Sequence, residues 1–195
     1  MLDSITGTYK AVVVGASAGG MDAISKLLSA LPASFPLPIV VVQHLHPSSG
    51  GYLVEHFERI CVLPVREPED KEEIQSGTIY LAPANYHLLI ETDETFSLSI
   101  DERVSHSRPS IDVLFESAAI AWGGRVIGVL LTGANSDGAS GLCLIKSYGG
   151  LALVQDPATA GYPVMPQAAI DAGCADQILS IEGIAQFLYS LVDMP

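Results

Sequence analysis

The chain has 195 residues, of which 49% are apolar and 16% charged, with a formal charge of -13 and an isoelectric point near 4.5. That length suits one α/β domain with a substantial core, and that acidity argues against nucleic acid, because no basic face would offset repulsion from phosphate. The N-terminus lacks the basic start and apolar stretch of a signal peptide, and no apolar run approaches the roughly 18 residues of a membrane span, so a soluble protein without membrane insertion is expected.

A polar arm over residues 1–9 leads into a single expected domain over residues 10–195. Ala11 to Val14 is an unbroken apolar, β-branched run that meets the glycine-rich turn Gly15-Ala16-Ser17-Ala18-Gly19-Gly20. A helix follows, because Met21, Ile24, Leu27, Leu28 and Leu31 share one face and Pro32 ends it. The second run, Ile39 to Val42, breaks into Gln43-His44-Leu45-His46-Pro47, and a short helix is expected over Tyr52 to Ile60. Thr78 to Leu81 reads as a strand, and Tyr86 to Glu91 with Phe96 to Asp101 reads as a peripheral antiparallel hairpin.

Ser110 is placed to cap a helix running to Ala121, with Asp112 in its first turn where negative charge suits the helix dipole. Ile127 to Leu131 is the next buried strand, closed by Thr132-Gly133-Ala134-Asn135-Ser136-Asp137-Gly138. A helix over Leu142 to Tyr148, a strand over Leu151 to Val154, a helix opened by Pro166 and a terminal helix over Ile184 to Val192 complete the chain. Strands that are unbroken apolar runs, alternating with helices, imply a three-layer, doubly wound α/β fold: a mostly parallel sheet with helices on both faces. Cys61, Cys143 and Cys174 stand apart without paired spacing and are expected to be unpaired, small apolar residues in a reducing cytoplasm.

In parallel sheets ligands collect outside the carboxyl ends of the strands, and three strand ends carry complementary chemistry. Ser17 follows the first strand, His44 the second, and Asp137 the Ile127 to Leu131 strand. Serine is a poor nucleophile unless an imidazole takes its proton and a carboxylate holds that imidazole in the right tautomer. Gly15-x-Ser17-x-Gly19 has the small residues that a sharp strand-to-helix turn needs, and places the Ala18 amide where it would help hold an oxyanion.

Each residue has a plainer reading. Ser17 would otherwise cap the helix, or the turn would bind phosphate, although the second strand ends without the acidic residue of a dinucleotide site. His44 would be a hydrogen-bonded core histidine or, with His46, a metal ligand, but no clustered Cys, His or Glu completes a zinc site, so no metal or cofactor is expected. His56, His87 and His106 have no comparable placement and read as surface or loop residues. Asp137 precedes glycine, as turn residues often do, and Asp156 competes with it for the acid's role.

Six ordered stretches carry a family resemblance: VVVGASAGG at Val12 to Gly20, VVVQHLHP at Val40 to Pro47, IYLAPANYHL at Ile79 to Leu88, SRPSIDVLF at Ser107 to Phe115, LLTGANSDGASGL at Leu130 to Leu142, and VQDPATAGYPVMPQAAI at Val154 to Ile170. The chain resembles the catalytic domain of the protein-glutamate methylesterases of bacterial chemotaxis, the CheB family. The resemblance implies a doubly wound α/β fold, a catalytic triad of Ser17, His44 and Asp137, and a cytoplasmic serine hydrolase. Its implied substrate is the γ-glutamyl methyl ester of a methyl-accepting chemotaxis receptor's cytoplasmic region, and some members also deamidate glutamine there. Arg108 and Met165 are then expected at the substrate edge. An esterase or amidase for another substrate, or a receptor-binding scaffold without activity, are the competing functions.

The chain also departs from the pattern. The best-known members carry an N-terminal receiver domain, whereas this sequence begins almost at its catalytic strand, so control by phosphorylation in cis is not expected. Ala18 stands where threonine is frequent, and Ala134-Asn135 replace a common Met-Gly. The acidity is a further departure from expectation for an enzyme of glutamate-rich receptor segments, which it would repel without a local basic patch.

Overall fold

A computed structural model describes residues 9–44 and 52–192 of the chain. Its main sheet has seven strands in the order β3-β4-β2-β1-β7-β8-β9. All six pairings are parallel. The strands are β1 (Ala11–Ala16), β2 (Ile39–Gln43), β3 (Val65–Arg66), β4 (Ile79–Leu81), β7 (Val126–Leu130), β8 (Leu151–Gln155) and β9 (Gln177–Leu179). The expected hairpin forms as β5 (His87–Ile90) and β6 (Phe96–Ser99), antiparallel and outside the main sheet. The short edge strands β3 and β9 were not foreseen.

The two-residue period of a strand explains why β1 is apolar throughout. Val12, Val14 and Ala16 enter one core cluster, which also holds residues of α1 (Gly20–Ser29) and α6 (Ile181–Val192). Ala11 and Val13 enter the opposite cluster, with α3 (Ile111–Trp122), α4 (Ala139–Ser147) and α5 (Val164–Asp171). Val12, Val13 and Val14 are each 0% exposed, and burial of such a side chain is worth about 1.5 to 3 kcal/mol. The remaining helix, α2 (Tyr52–Glu58), precedes β3.

From β1 the chain builds outward through β2 and β4 on one side, then returns to add β7, β8 and β9 on the other. The winding therefore reverses between β1 and β7, which opens a crevice at their carboxyl ends. Ser17, His44 and the loop ending in Asp137 all leave the sheet there.

The cysteines correct an expectation. Cys143 on α4 is joined to Cys174, just beyond α5, in a disulfide with a Cα–Cα distance of 4.8 Å, and only Cys61 is free. Separate positions in sequence concealed the pairing because α5 and β8 bring its ends together, and the argument from unpaired cysteines to a reducing compartment loses its basis. The bridge closes a loop of 31 residues, which in the chain-entropy account stabilises by about 2 to 4 kcal/mol. Cys143→Ser should accordingly lower the midpoint of thermal unfolding by roughly 5 to 15 °C under non-reducing conditions. Reductant should bring the parent protein down to the same value; midpoints unaffected by either change would contradict a formed bridge.

Among the described residues, no helix is long and apolar enough to cross a membrane.

Candidate active site

The turn after β1 is set by backbone bonds on both sides. The Ser17 amide donates to Thr132 O at 3.0 Å, and Ser17 O accepts from the Gly20 amide at 2.8 Å and from Gln43 Nε2 at 2.9 Å. Gly19, with φ 76°, is the N-cap residue of α1, in a left-handed conformation that favours glycine. The cap makes no side-chain hydrogen bond, so Ser17 does not serve as the helix cap. Its hydroxyl instead meets His44 Nδ1 at 3.1 Å.

His44 extends β2 by one more bond, its amide donating to Ala16 O at 3.0 Å. Gln43 Nε2 donates to His44 O at 2.9 Å as well as to Ser17 O, so one buried amide ties the Ser17 turn to His44. On its other side the His44 ring meets Asp137 Oδ2 through Nε2 at 2.7 Å. An ionised carboxylate only accepts, so the ring proton sits on Nε2 and Nδ1 is left to accept from the serine. This ring orientation is the reverse of the better-known Ser-His-Asp template, in which Nε2 faces the serine.

Asp137 is completely buried, and four donors surround its carboxylate. Besides His44, Oδ2 accepts from the Ile111 amide at 2.8 Å, while Oδ1 accepts from Ser110 Oγ at 2.8 Å and the Asp112 amide at 3.1 Å. Asp137 thus caps the N-terminus of α3, where free amides and the helix dipole both favour negative charge. Burial pushes its carboxyl up, but the His44 bond and the Ile111 and Asp112 amides outweigh that and hold it below the ordinary carboxylate value. Gly138, at φ 92°, turns the chain into α4 and leaves no space for a side chain beside Ile111 and Leu130.

Asp112 returns the favour to α4, accepting from the Gly141 amide at 2.8 Å. Burial pushes its carboxyl up to about 6, with the Gly141 amide opposing and the Asp137 charge adding to the rise. Two carboxylates therefore cap each other's helices, one held below the ordinary carboxylate value and the other raised above it.

The remaining expectations fall out as follows. Asp156 caps a short turn through the Ala158 amide at 2.9 Å, whereas the carboxylate bonded to His44 is that of Asp137. The Ala18 amide donates to no acceptor among the described residues, and Thr132 Oγ1 holds the Ala18 carbonyl at 3.0 Å. Arg108 spends Nη1 on the carbonyls of Ile100 and Asp101, at 2.7 and 2.9 Å, and so clamps the loop after the hairpin. Met165 is 0% exposed and fills the space under Gly133. His46 lies outside the described residues. His87 also needs correction: it is 2% exposed, because the hairpin packs β5 against α3.

Sequence reasoning missed three neighbours of the Ser17–His44–Asp137 cluster. Ser107 Oγ lies 3.4 Å from His44 Nδ1, placing a second hydroxyl on that ring nitrogen. Ser110 looked like a helix cap, and turns to Asp137 instead. Tyr162, 49% exposed, stands against Gly19 with its backbone bonded to Thr132 and Gly133, so an aromatic ring rims the Ser17 turn. The loop beside the base carries Arg103 and Arg108 next to Asp101 and Glu102, a mixed edge rather than a basic one.

Residues 12–188 match the family model described as CheB methylesterase. The chain belongs to the CheB methylesterase family. A Leptospira interrogans relative is 54% identical over 183 residues, covering 94% of this chain and 95% of its own length. A Trichodesmium erythraeum protein-glutamate methylesterase/protein-glutamine glutaminase is 41% identical over 178 residues, 90% of this chain but 51% of that protein. The crystal structure of the Thermotoga maritima CheB methylesterase catalytic domain superimposes with a TM-score of 0.91 at 35% identity, covering 94% of this chain and 99% of that one. This chain therefore has the fold of that catalytic domain.

Proposed function

We propose that this chain is a protein-glutamate methylesterase that works in the cytoplasm on the γ-glutamyl methyl esters of a chemoreceptor, with glutamine deamidation as a second reaction of the same site. The observation that supports it most is the unbroken relay from Ser17 through His44 to Asp137 at the switch point of the sheet. Family membership and the Trichodesmium relative's name favour this substrate over other esters.

In this reading Ser17 Oγ attacks the ester carbonyl while its proton passes to His44 Nδ1. Asp137 stabilises the imidazolium without taking the proton. The Ala18 amide faces the developing oxyanion at the positive end of α1. The tetrahedral intermediate collapses, the carbon–oxygen bond to the methoxy group breaks, and methanol leaves with the proton from Nδ1. Water then gives a proton to Nδ1 and attacks the acyl-enzyme; glutamate departs as the serine recovers its proton. A glutamine side chain would follow the same path, with ammonia as the leaving group.

The test is release of methanol from methylated receptor membranes. The parent protein should release it and Ser17→Ala should not. Release that survives the substitution would sink the mechanism. No release by either protein would point to a binding role or another substrate, and turnover of small esters alone would point to a general esterase.

A further inference from the structure

We propose that His87 is a positioning residue for the triad acid, acting through Ser110. The observation is a buried chain of hydrogen bonds that continues beyond Asp137. His87 Nδ1 accepts from the Ser110 amide at 3.2 Å, Ser110 Oγ donates to Asp137 Oδ1 at 2.8 Å, and His87 Nε2 donates to Glu102 O at 3.0 Å. With a carbonyl on one side and an N–H on the other, the ring uses both nitrogens in a single tautomer, its proton on Nε2.

The start of α3 explains why a histidine from another sheet is needed. A helix N-cap residue commonly turns its hydroxyl to the amides two or three positions on, while a Glu or Gln at the third helical position reaches back to its amide. Here Asp137 occupies the Asp112 amide, which releases the Ser110 hydroxyl to bond Asp137. The third helical position is Val113, which has no polar group to reach back. The Ser110 amide would be buried without an acceptor, because Ser110 is 0% exposed, and His87 supplies the acceptor from β5. Losing that acceptor would let the Ser110 backbone shift to find another, and the hydroxyl would leave Asp137. The carboxylate could then rotate about its own side-chain axis, and its alignment with His44 would loosen.

The inference rests on the serine-hydrolase reading of Ser17, so its readout is chosen to work whatever the substrate. A fluorophosphonate probe labels an activated serine directly, and the labelling rate reports Ser17–His44–Asp137 alignment. Three variants separate the two ring nitrogens. His87→Asn keeps an acceptor near the Nδ1 position, His87→Gln keeps a donor near Nε2 but not that acceptor, and His87→Leu keeps neither. We expect His87→Asn within about 3-fold of the parent. His87→Gln and His87→Leu should fall about 10- to 100-fold in labelling rate, and in kcat for methanol release with KM unchanged, as expected when reacting groups are misplaced by a fraction of an ångström or more.

Ser110→Ala keeps the backbone amide on His87 and deletes only the hydroxyl, so it tests the next bond if a His87 variant fails to fold. It should lower labelling as far as His87→Gln, and the double variant should be no worse than either alone. Parent-like labelling by folded His87→Gln, by His87→Leu or by Ser110→Ala would overturn the proposal, as would His87→Asn falling as far as His87→Leu. A parent protein that the probe does not label would instead sink the serine-hydrolase reading itself.

Discussion

Alanine at Ser17 or at His44 should each lower turnover about 10⁵- to 10⁶-fold, and the double substitution should cost no more than either one. The reason is that the two side chains are one device: the Ser17 hydroxyl lies 3.1 Å from His44 Nδ1, and neither does anything for the other step alone. Without the imidazole, the serine keeps its proton at neutral pH. Without the serine, the imidazole has no attacking group to deprotonate, apart from water. What remains in all three variants is the turn itself, the free Ala18 amide and the positive end of α1, and this should sustain a residual rate well above solution. His44→Ala should still fold, since three donors besides His44 hold the Asp137 carboxylate. Methanol release under single-turnover conditions measures the series. A double variant slower than the single ones by the product of their factors would mean that Ser17 and His44 act independently.

That unit was legible in the sequence as far as Ser17 and His44 are concerned, and for a physical reason. Each follows an unbroken apolar run, and a parallel sheet brings the carboxyl ends of such runs to one edge. Asp137 was less legible, because it lies seven positions beyond the end of β7 and a carboxylate before glycine is ordinary in turns. What brings Asp137 rather than Asp156 to His44 is the N-terminus of α3, contributed by residues 25 to 27 positions earlier in the chain. No local pattern states that meeting of chain segments; the family resemblance did. His87 escaped for the same reason: its neighbours in sequence suggest a hairpin on the outside, whereas α3 buries it. The edge strands β3 and β9 escaped because two and three residues are too few to show a period, and two of the three in β9 are exposed.

Asp137→Asn should lower kcat about 10⁴-fold while leaving the backbone of the site in place, since an amide in that position no longer selects the tautomer that frees Nδ1. Its effect on stability depends on pH in a way that separates the two buried carboxylates. Asp137 is held below the ordinary value in the folded chain, so its contribution is present above the unfolded carboxylate value, about 4, and is lost as pH falls through the folded value. Asp112 is raised to about 6, which has the opposite sign: folding is favoured while it keeps its proton, and stability falls as pH rises from about 4 through 6. The parent protein should therefore be most stable in mild acid. In Asp137→Asn the amide faces the Ser110 hydroxyl and two backbone donors with one acceptor oxygen instead of two, a loss of about 1 to 3 kcal/mol at neutral pH. Burial is the main cause of the rise at Asp112, and the same change removes the Asp137 charge that adds to it, so the decline between pH 4 and 6 should become shallower, and the Asp137 contribution to the loss below pH 4 should disappear. Urea unfolding across pH 3 to 8 reads both arms. A variant with the parent's full slope between pH 4 and 6 would show that Asp112 does not feel Asp137, and that the two helix-capping carboxylates are independent.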